Sequence, residues 1–304
     1  MGVSDLRAFE ILLESEPSES RIDDFFDELN AHPADDSKIF LQSFAKENGS
    51  LRNQIQFLSH LYAKGIHIDR CDGSHVAFIF FACSLDPMGT AMARSRLVKI
   101  NANCIYLYDN QHMNFAFGVK QCGKIVQQTD AALMQIVDDW KVDRIIAVGH
   151  SAAGFAAINR ALALNAYASV TFSPFTTFAP EHFERDGRGH AIINRFKKLA
   201  PELLIDLVPL LAKREPPLKL VCFYPRGLPK DVWQSERVRG IRDTYPLGIN
   251  LQTHSVLNPL IEAGTFDILM RRLAEGATLE DSVALILTRF GARSELKNAG
   301  QKPT

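Results

Sequence analysis

Residues 144–155 read Arg-Ile-Ile-Ala-Val-Gly-His-Ser-Ala-Ala-Gly-Phe, and this stretch limits the fold more than any other. An apolar run long enough for a buried strand stops at Gly149, a lone serine follows, and small residues open the alanine-rich segment Gly154–Ala163. Strand, sharp turn, serine and helix in that order lift a hydroxyl above the C-terminal edge of a parallel sheet. The first backbone N–H groups of the helix then face whatever the hydroxyl attacks. The turn reads GHSAAG, with Ala153 standing where a G-x-S-x-G pattern has its second glycine. Alanine is the smallest substitute where backbones must approach closely, and the segment is read as a nucleophile elbow carrying one substitution.

The rest of the chain supplies the sheet. From about residue 74, continuous apolar runs occur at Val76–Cys83, Cys104–Tyr108, Ile145–Val148, Ser169–Phe172 and Leu218–Tyr224. Runs of this kind suit strands buried on both faces, as in parallel sheets. Helix-like segments intervene at Ala91–Lys99, Asp130–Trp140, Ala152–Asn165 and Asp231–Arg242. The alternation predicts an α/β fold with an open, mostly parallel sheet and helices on both faces. After Pro246, Gly248–Gln252 is expected as a short last strand, followed by a helix around Pro259–Ala274.

Three regions stand apart. Residues 1–70 are expected to form a small helical N-terminal region, with apolar residues at helical spacing in Asp5–Glu16, Arg21–Ala31, Asp36–Glu47 and Leu51–Ala63. Residues 71–276 form the α/β domain, interrupted at 175–217 by polar loop and helical sequence that is either a cap over a pocket or a surface excursion. Residues 277–304 hold a helix at Leu279–Phe290 and a polar tail.

Composition excludes several classes. A formal net charge of -1 gives no global attraction to nucleic acid or anionic membranes. No apolar run approaches the roughly 20 residues that span a bilayer. The N-terminus MGVSDLRAFE lacks the basic region and apolar core of a secretory signal, and Leu6 stands where a myristoylation motif has Ser or Thr, so a cytoplasmic address is expected. Five cysteines without a C-x-x-C pair argue against a disulfide framework or structural zinc. They are expected to be reduced and non-catalytic, and no metal or cofactor is expected.

A serine hydroxyl needs a base, itself oriented by an acid. In a sheet of this type the chain order is serine, then acid after a late strand, then histidine. His254 is the one histidine beyond residue 190, which makes it the candidate base. Asp231 is the nearest carboxylate after Leu218–Tyr224, with helix capping as its plainer role, and Glu236 is the alternative acid. The oxyanion donors are expected to be the N–H of Ala152 and one from Ala82–Ser84, centred on Cys83. Asp109, His150 and Ser173 lie at strand ends on the same edge and are candidate substrate contacts, with a turn-forming role as the plainer reading of Asp109.

VGHSAAGFAAINRALALNA followed by VTFSP resembles the elbow, helix and next strand of α/β-hydrolase-fold serine hydrolases. It is similar to a branch reading G-x-S-x-G-G-(Y/F)-A-A whose next strand ends in F-S-P, a branch that often accompanies surface-polysaccharide or glycosylation machinery. The likeness extends more faintly to YLYDN, FYPRGLPKDVWQSERVR and THSVLNPLIEAG, covering roughly residues 74–274. It implies Ser151 as nucleophile, Asp231 as acid and His254 as base. Departures are Ala153 for glycine and Thr253 ahead of the histidine. The expected activity is ester or related acyl hydrolysis on a small-molecule or glycan-linked substrate. Acyl transfer to a sugar hydroxyl uses the same triad. A non-catalytic scaffold, with a protein partner held through the N-terminal helices, is the reading from another class.

Overall fold

The computed structural model describes residues 51–82 and 87–289. Seven strands, β1 (Ile66–Asp69), β2 (Val76–Phe81), β3 (Asn103–Leu107), β4 (Arg144–His150), β5 (Ala168–Phe172), β6 (Lys219–Pro225) and β7 (Thr244–Ile249), form one sheet in the order β1-β3-β2-β4-β5-β6-β7. β1 runs antiparallel to β3, and every other neighbour pair is parallel.

Strand alternation divides the apolar residues between two cores. Phe78 and Phe80 of β2, with Val148 of β4 and Phe172 of β5, face one layer; Ile79 and Phe81, with Ala147 and Cys222, face the other. The first layer is built by α1 (Leu51–Lys64), α2 (Pro87–Leu97), α9 (Leu257–Glu262), α10 (Thr265–Ala274) and α11 (Leu279–Arg289). The second holds α3 (Val126–Asp139), α4 (Ser151–Ala163), α6 (His190–Leu199) and α7 (Leu207–Lys213). The chain is thus an α/β protein with helices on both faces of an open, mostly parallel sheet.

The central strands lie where their continuous apolar runs predict them. β1 has no such run, because Ile66 and Ile68 alternate with His67 and Asp69, and at this edge of the sheet Ile68 is the most exposed of the four. Asp69 is fixed by Arg94 of α2 through two hydrogen bonds of 2.9 Å. The last strand is Thr244–Ile249 rather than Gly248–Gln252: Pro246 lies inside it, tolerated because β7 is an edge. The expected Pro259–Ala274 helix is two helices, broken at Ala263-Gly264. The helix expected at Asp231–Arg242 is α8, Pro229–Glu236.

Of the four N-terminal helices expected, the first three lie outside the described residues. The fourth is α1, whose Leu58 and Leu61 are buried against the sheet and whose Tyr62 ring stacks on Tyr108 at 3.7 Å. It is a layer of the α/β domain. The 175–217 segment is also packed: Phe175, Phe178, Ile193, Phe196, Leu207 and Leu211 are buried in the second core. The tail after Arg289 lies outside the described residues.

Phe172 is fully buried in the middle of the sheet, with Phe223 at 5.6 Å and Phe266 of α10 at 6.0 Å. Phe172→Ala is expected to lower the unfolding free energy by about 3–5 kcal/mol, measured by urea denaturation. A loss below 1 kcal/mol would contradict a single core joining sheet and α10.

Candidate active site

Strand register assembles the site. β2 has β3 on one side and β4 on the other, so successive connections diverge there, and crevices at such a switch point take ligands. Phe81 pairs with Gly149 and His150 with Phe172, so the loops after β2 and β5 flank the turn at the end of β4.

That turn is tight. Ser151 has φ +55°, a left-handed conformation uncommon for a residue with a side chain. His150 is still extended (φ -120°, ψ 140°) and α4 starts at Ser151. A Cβ on Gly149 would lie 2.4 Å from the Ala153 carbonyl oxygen, and one on Gly154 would lie 2.8 Å from the Pro174 Cβ. The glycine requirement therefore falls at 149 and 154. Position 153 is buried but accommodates a methyl group, and the turn keeps its geometry with alanine there.

Ser151 Oγ lies 2.8 Å from His254 Nε2. His254 Nδ1 lies 2.9 Å from Asp231 Oδ2 and 3.0 Å from Oδ1. The carboxylate holds the proton on Nδ1, which leaves Nε2 free to accept from the serine. Asp231 is the third residue of α8 and fully buried; its side chain makes no capping bond, so the helix-cap role is not what the structure shows. Glu236, the alternative acid, is hydrogen-bonded to Tyr224 and Arg239 instead.

His254 sits on the loop after β7. Its carbonyl accepts from the Ser173 hydroxyl at 2.6 Å and from the Val256 N–H at 3.0 Å. The His150 ring packs 5.3 Å from the His254 ring, with Nε2 at 3.4 Å from the same carbonyl. Ser173 and His150 are both buried. Both side chains thus meet the backbone of the histidine loop.

Asp109 follows the end of β3 by two residues. Its buried carboxylate accepts from the backbone N–H groups of Gln111 (3.0 Å), Met113 (2.6 Å) and Phe115 (2.8 Å), organising the loop after β3. Burial pushes its pKa above the ordinary carboxylate value, against these three donors.

As the second residue of α4, Ala152 has an N–H without an intrahelical acceptor. The Ala82 N–H donates to the Leu107 carbonyl at 2.8 Å, which removes Ala82 from the second-donor candidates. Cys83 and Ser84 lie outside the described residues.

Sequence reasoning missed Arg188. It follows the short helix α5 (Phe183–Asp186), and its Nη1 reaches Asp231 Oδ1 at 2.5 Å. Nε and Nη2 pair with both oxygens of Asp186 at 2.5 and 2.9 Å. Gln234 Nε2 also donates to Asp186 (2.7 Å), and Gln234 Oε1 accepts from the Thr176 N–H (2.8 Å). Burial raises the Asp186 pKa, but the hydrogen bonds from Arg188 and Gln234 outweigh it and hold the carboxyl below its ordinary value. FERDGRGH carries no periodic pattern, so nothing local marks an arginine whose partner lies 43 positions away.

Among the described residues, no group of three or more His, Cys, Asp or Glu side chains is placed to hold a metal ion, and no helix is long and apolar enough to cross a membrane. Cys104 and Cys222 are buried, and burial pushes both thiols up to about 12. An open groove of about 610 Å³ lies on the side of α8 bearing Trp233, lined also by Arg185, Arg226 and Arg237.

No family model matches the chain, and no curated protein matches it in sequence. Among solved structures it is similar to a thermophilic esterase from Thermogutta terrifontis with butyrate bound, at 13% identity over 71% of this chain and 92% of that one, TM-score 0.49. Carboxyl esterase 2 of the mycorrhizal fungus Tuber melanosporum aligns at 15% identity over 69% and 81%, TM-score 0.49. The glycosylation associate protein (Gap123) complex from Streptococcus agalactiae aligns at 16% identity over 68% of this chain and 43% of that one, TM-score 0.49.

Asp109→Ala leaves buried N–H groups without an acceptor and is expected to cost on the order of 3 kcal/mol of stability. Urea denaturation measures it. Undiminished stability together with weakened substrate binding would return Asp109 to the pocket.

Proposed function

We propose that this chain is a serine hydrolase that cleaves an ester or related acyl bond through a Ser151–His254–Asp231 triad and an acyl-enzyme. The observation that carries the reading is the unbroken hydrogen-bond line from Ser151 Oγ through His254 to a fully buried Asp231, brought to one sheet edge from the start of α4, the loop after β7 and the first turn of α8. His254 Nε2 takes the Oγ proton as the oxygen attacks the acyl carbonyl. The tetrahedral oxyanion is met by the Ala152 N–H at the start of α4, assisted by the positive end of the helix. Protonated His254 passes its proton to the departing alkoxide, which leaves as the alcohol. A water then attacks the acyl-enzyme, with His254 again as base, and releases the acid and the free serine.

Asp231 holds the imidazole in the tautomer that can accept and stabilises the imidazolium as it forms. Ser173 keeps the histidine loop at the height where Nε2 meets Oγ. We take the substrate to be an acyl group on a small molecule or a glycan, the class that the elbow's resemblance implies.

Turnover of short-chain p-nitrophenyl esters tests the chemistry. Ser151→Ala and His254→Ala are each expected to lower kcat/KM by ~10³-fold or more, with the fold retained by circular dichroism. Wild-type rates in His254→Ala would remove the triad assignment. No turnover of any acyl ester by folded wild-type protein would favour a binding role for the fold.

A further inference from the structure

A triad acid commonly has the histidine as its charged neighbour only while the histidine is protonated. Here Asp231 has a permanent cation. Arg188 Nη1 donates to its Oδ1 at 2.5 Å and lies 3.5 Å from His254 Nδ1. The guanidinium is itself held on three sides: Nε and Nη2 fork onto Asp186, and Cζ lies 4.9 Å over the Phe175 ring. Asp186 is tied back to α8 through Gln234, three residues after Asp231. The side chains of Asp186 and Asp231 are 4% and 0% exposed, so both carboxylates rely on this one arginine for charge compensation.

A buried carboxylate hydrogen-bonded to imidazole alone is poorly compensated, and the arginine supplies a fixed positive partner that aims it at the ring.

We propose that Arg188 is a positioning residue for the triad: it holds the Asp231 carboxylate in its histidine-facing orientation. The segment 175–217 thereby becomes part of the catalytic apparatus through one side chain, beyond any covering role. This rests on the serine hydrolase reading for its catalytic meaning, but the orientation itself is measurable without turnover.

Arg188→Gln alone strands two buried carboxylates and invites misfolding, so the decisive variant is Asp186→Asn with Arg188→Gln, which removes the cation together with its own counter-anion. Arg188→Lys restores the charge without the fork. The His254 Nδ1–H resonance is recorded by NMR in the three proteins, and kcat and KM for a p-nitrophenyl ester are measured separately. In the double variant the resonance is expected to be lost to exchange and kcat to fall about tenfold with KM unchanged. Arg188→Lys is expected to retain the resonance and most of kcat. An unchanged resonance and kcat in the folded double variant overturn the proposal, as does a lysine variant that behaves like the double variant. A resonance lost in the double variant of a protein whose wild type turns over no ester upholds the positioning assignment and contradicts the hydrolase reading.

Discussion

The backbone at Ser151 is the constraint on which the rest of the site depends. A serine at φ +55° is held in a conformation costing about 1–3 kcal/mol, and only surroundings that over-determine it keep it there. β4 supplies them by pairing on both sides, with β2 through Gly149 and with β5 through His150. α4 adds the close contact between Gly149 and the Ala153 backbone, and Pro174 closes the other side against Gly154. A strand free on either edge would relax the turn and swing the hydroxyl away from the histidine.

From that fixed point, neighbouring elements are placed by register. Ser173 follows the residue that pairs with His150, so its hydroxyl is in position to hold the His254 carbonyl. The acid arrives from the next strand, β6, through the first turn of α8. Its burial would be costly without compensation, and Arg188 of the 175–217 segment supplies it. Helix α8 thus carries both Asp231 and Gln234, and the two side chains bind the same segment by charge and by amide.

The sheet was legible because strands buried on both faces are written as unbroken apolar runs, and each run from Val76 to Tyr224 became a strand. β1 was not, since a four-residue edge strand that alternates Ile-His-Ile-Asp leaves no apolar run to read. Pro246 misdirected the last strand, because proline reads as a breaker although an edge strand tolerates it. Within the site, Ser151, Asp231 and His254 were picked out by their order along the chain, and the structure brings the three side chains within hydrogen-bond distance. His150 and Ser173 lie at the edge as expected, but what their side chains bond is set by the His254 loop far along the chain, whereas Asp109 bonds the backbone of its own loop. Arg188 left no trace in the pattern, because its importance lies entirely in contacts made across the fold.

The central claim is that Ser151 is a nucleophile activated by His254. Its most direct measurement is the reaction of the folded protein with a fluorophosphonate, followed by intact mass and by tandem mass spectrometry of the peptide containing residues 144–155. The account predicts one phosphonyl adduct per chain, on Ser151, with its formation slowed by loss of the His254 imidazole. An adduct on another residue, or none on protein that keeps its native fold, would contradict it.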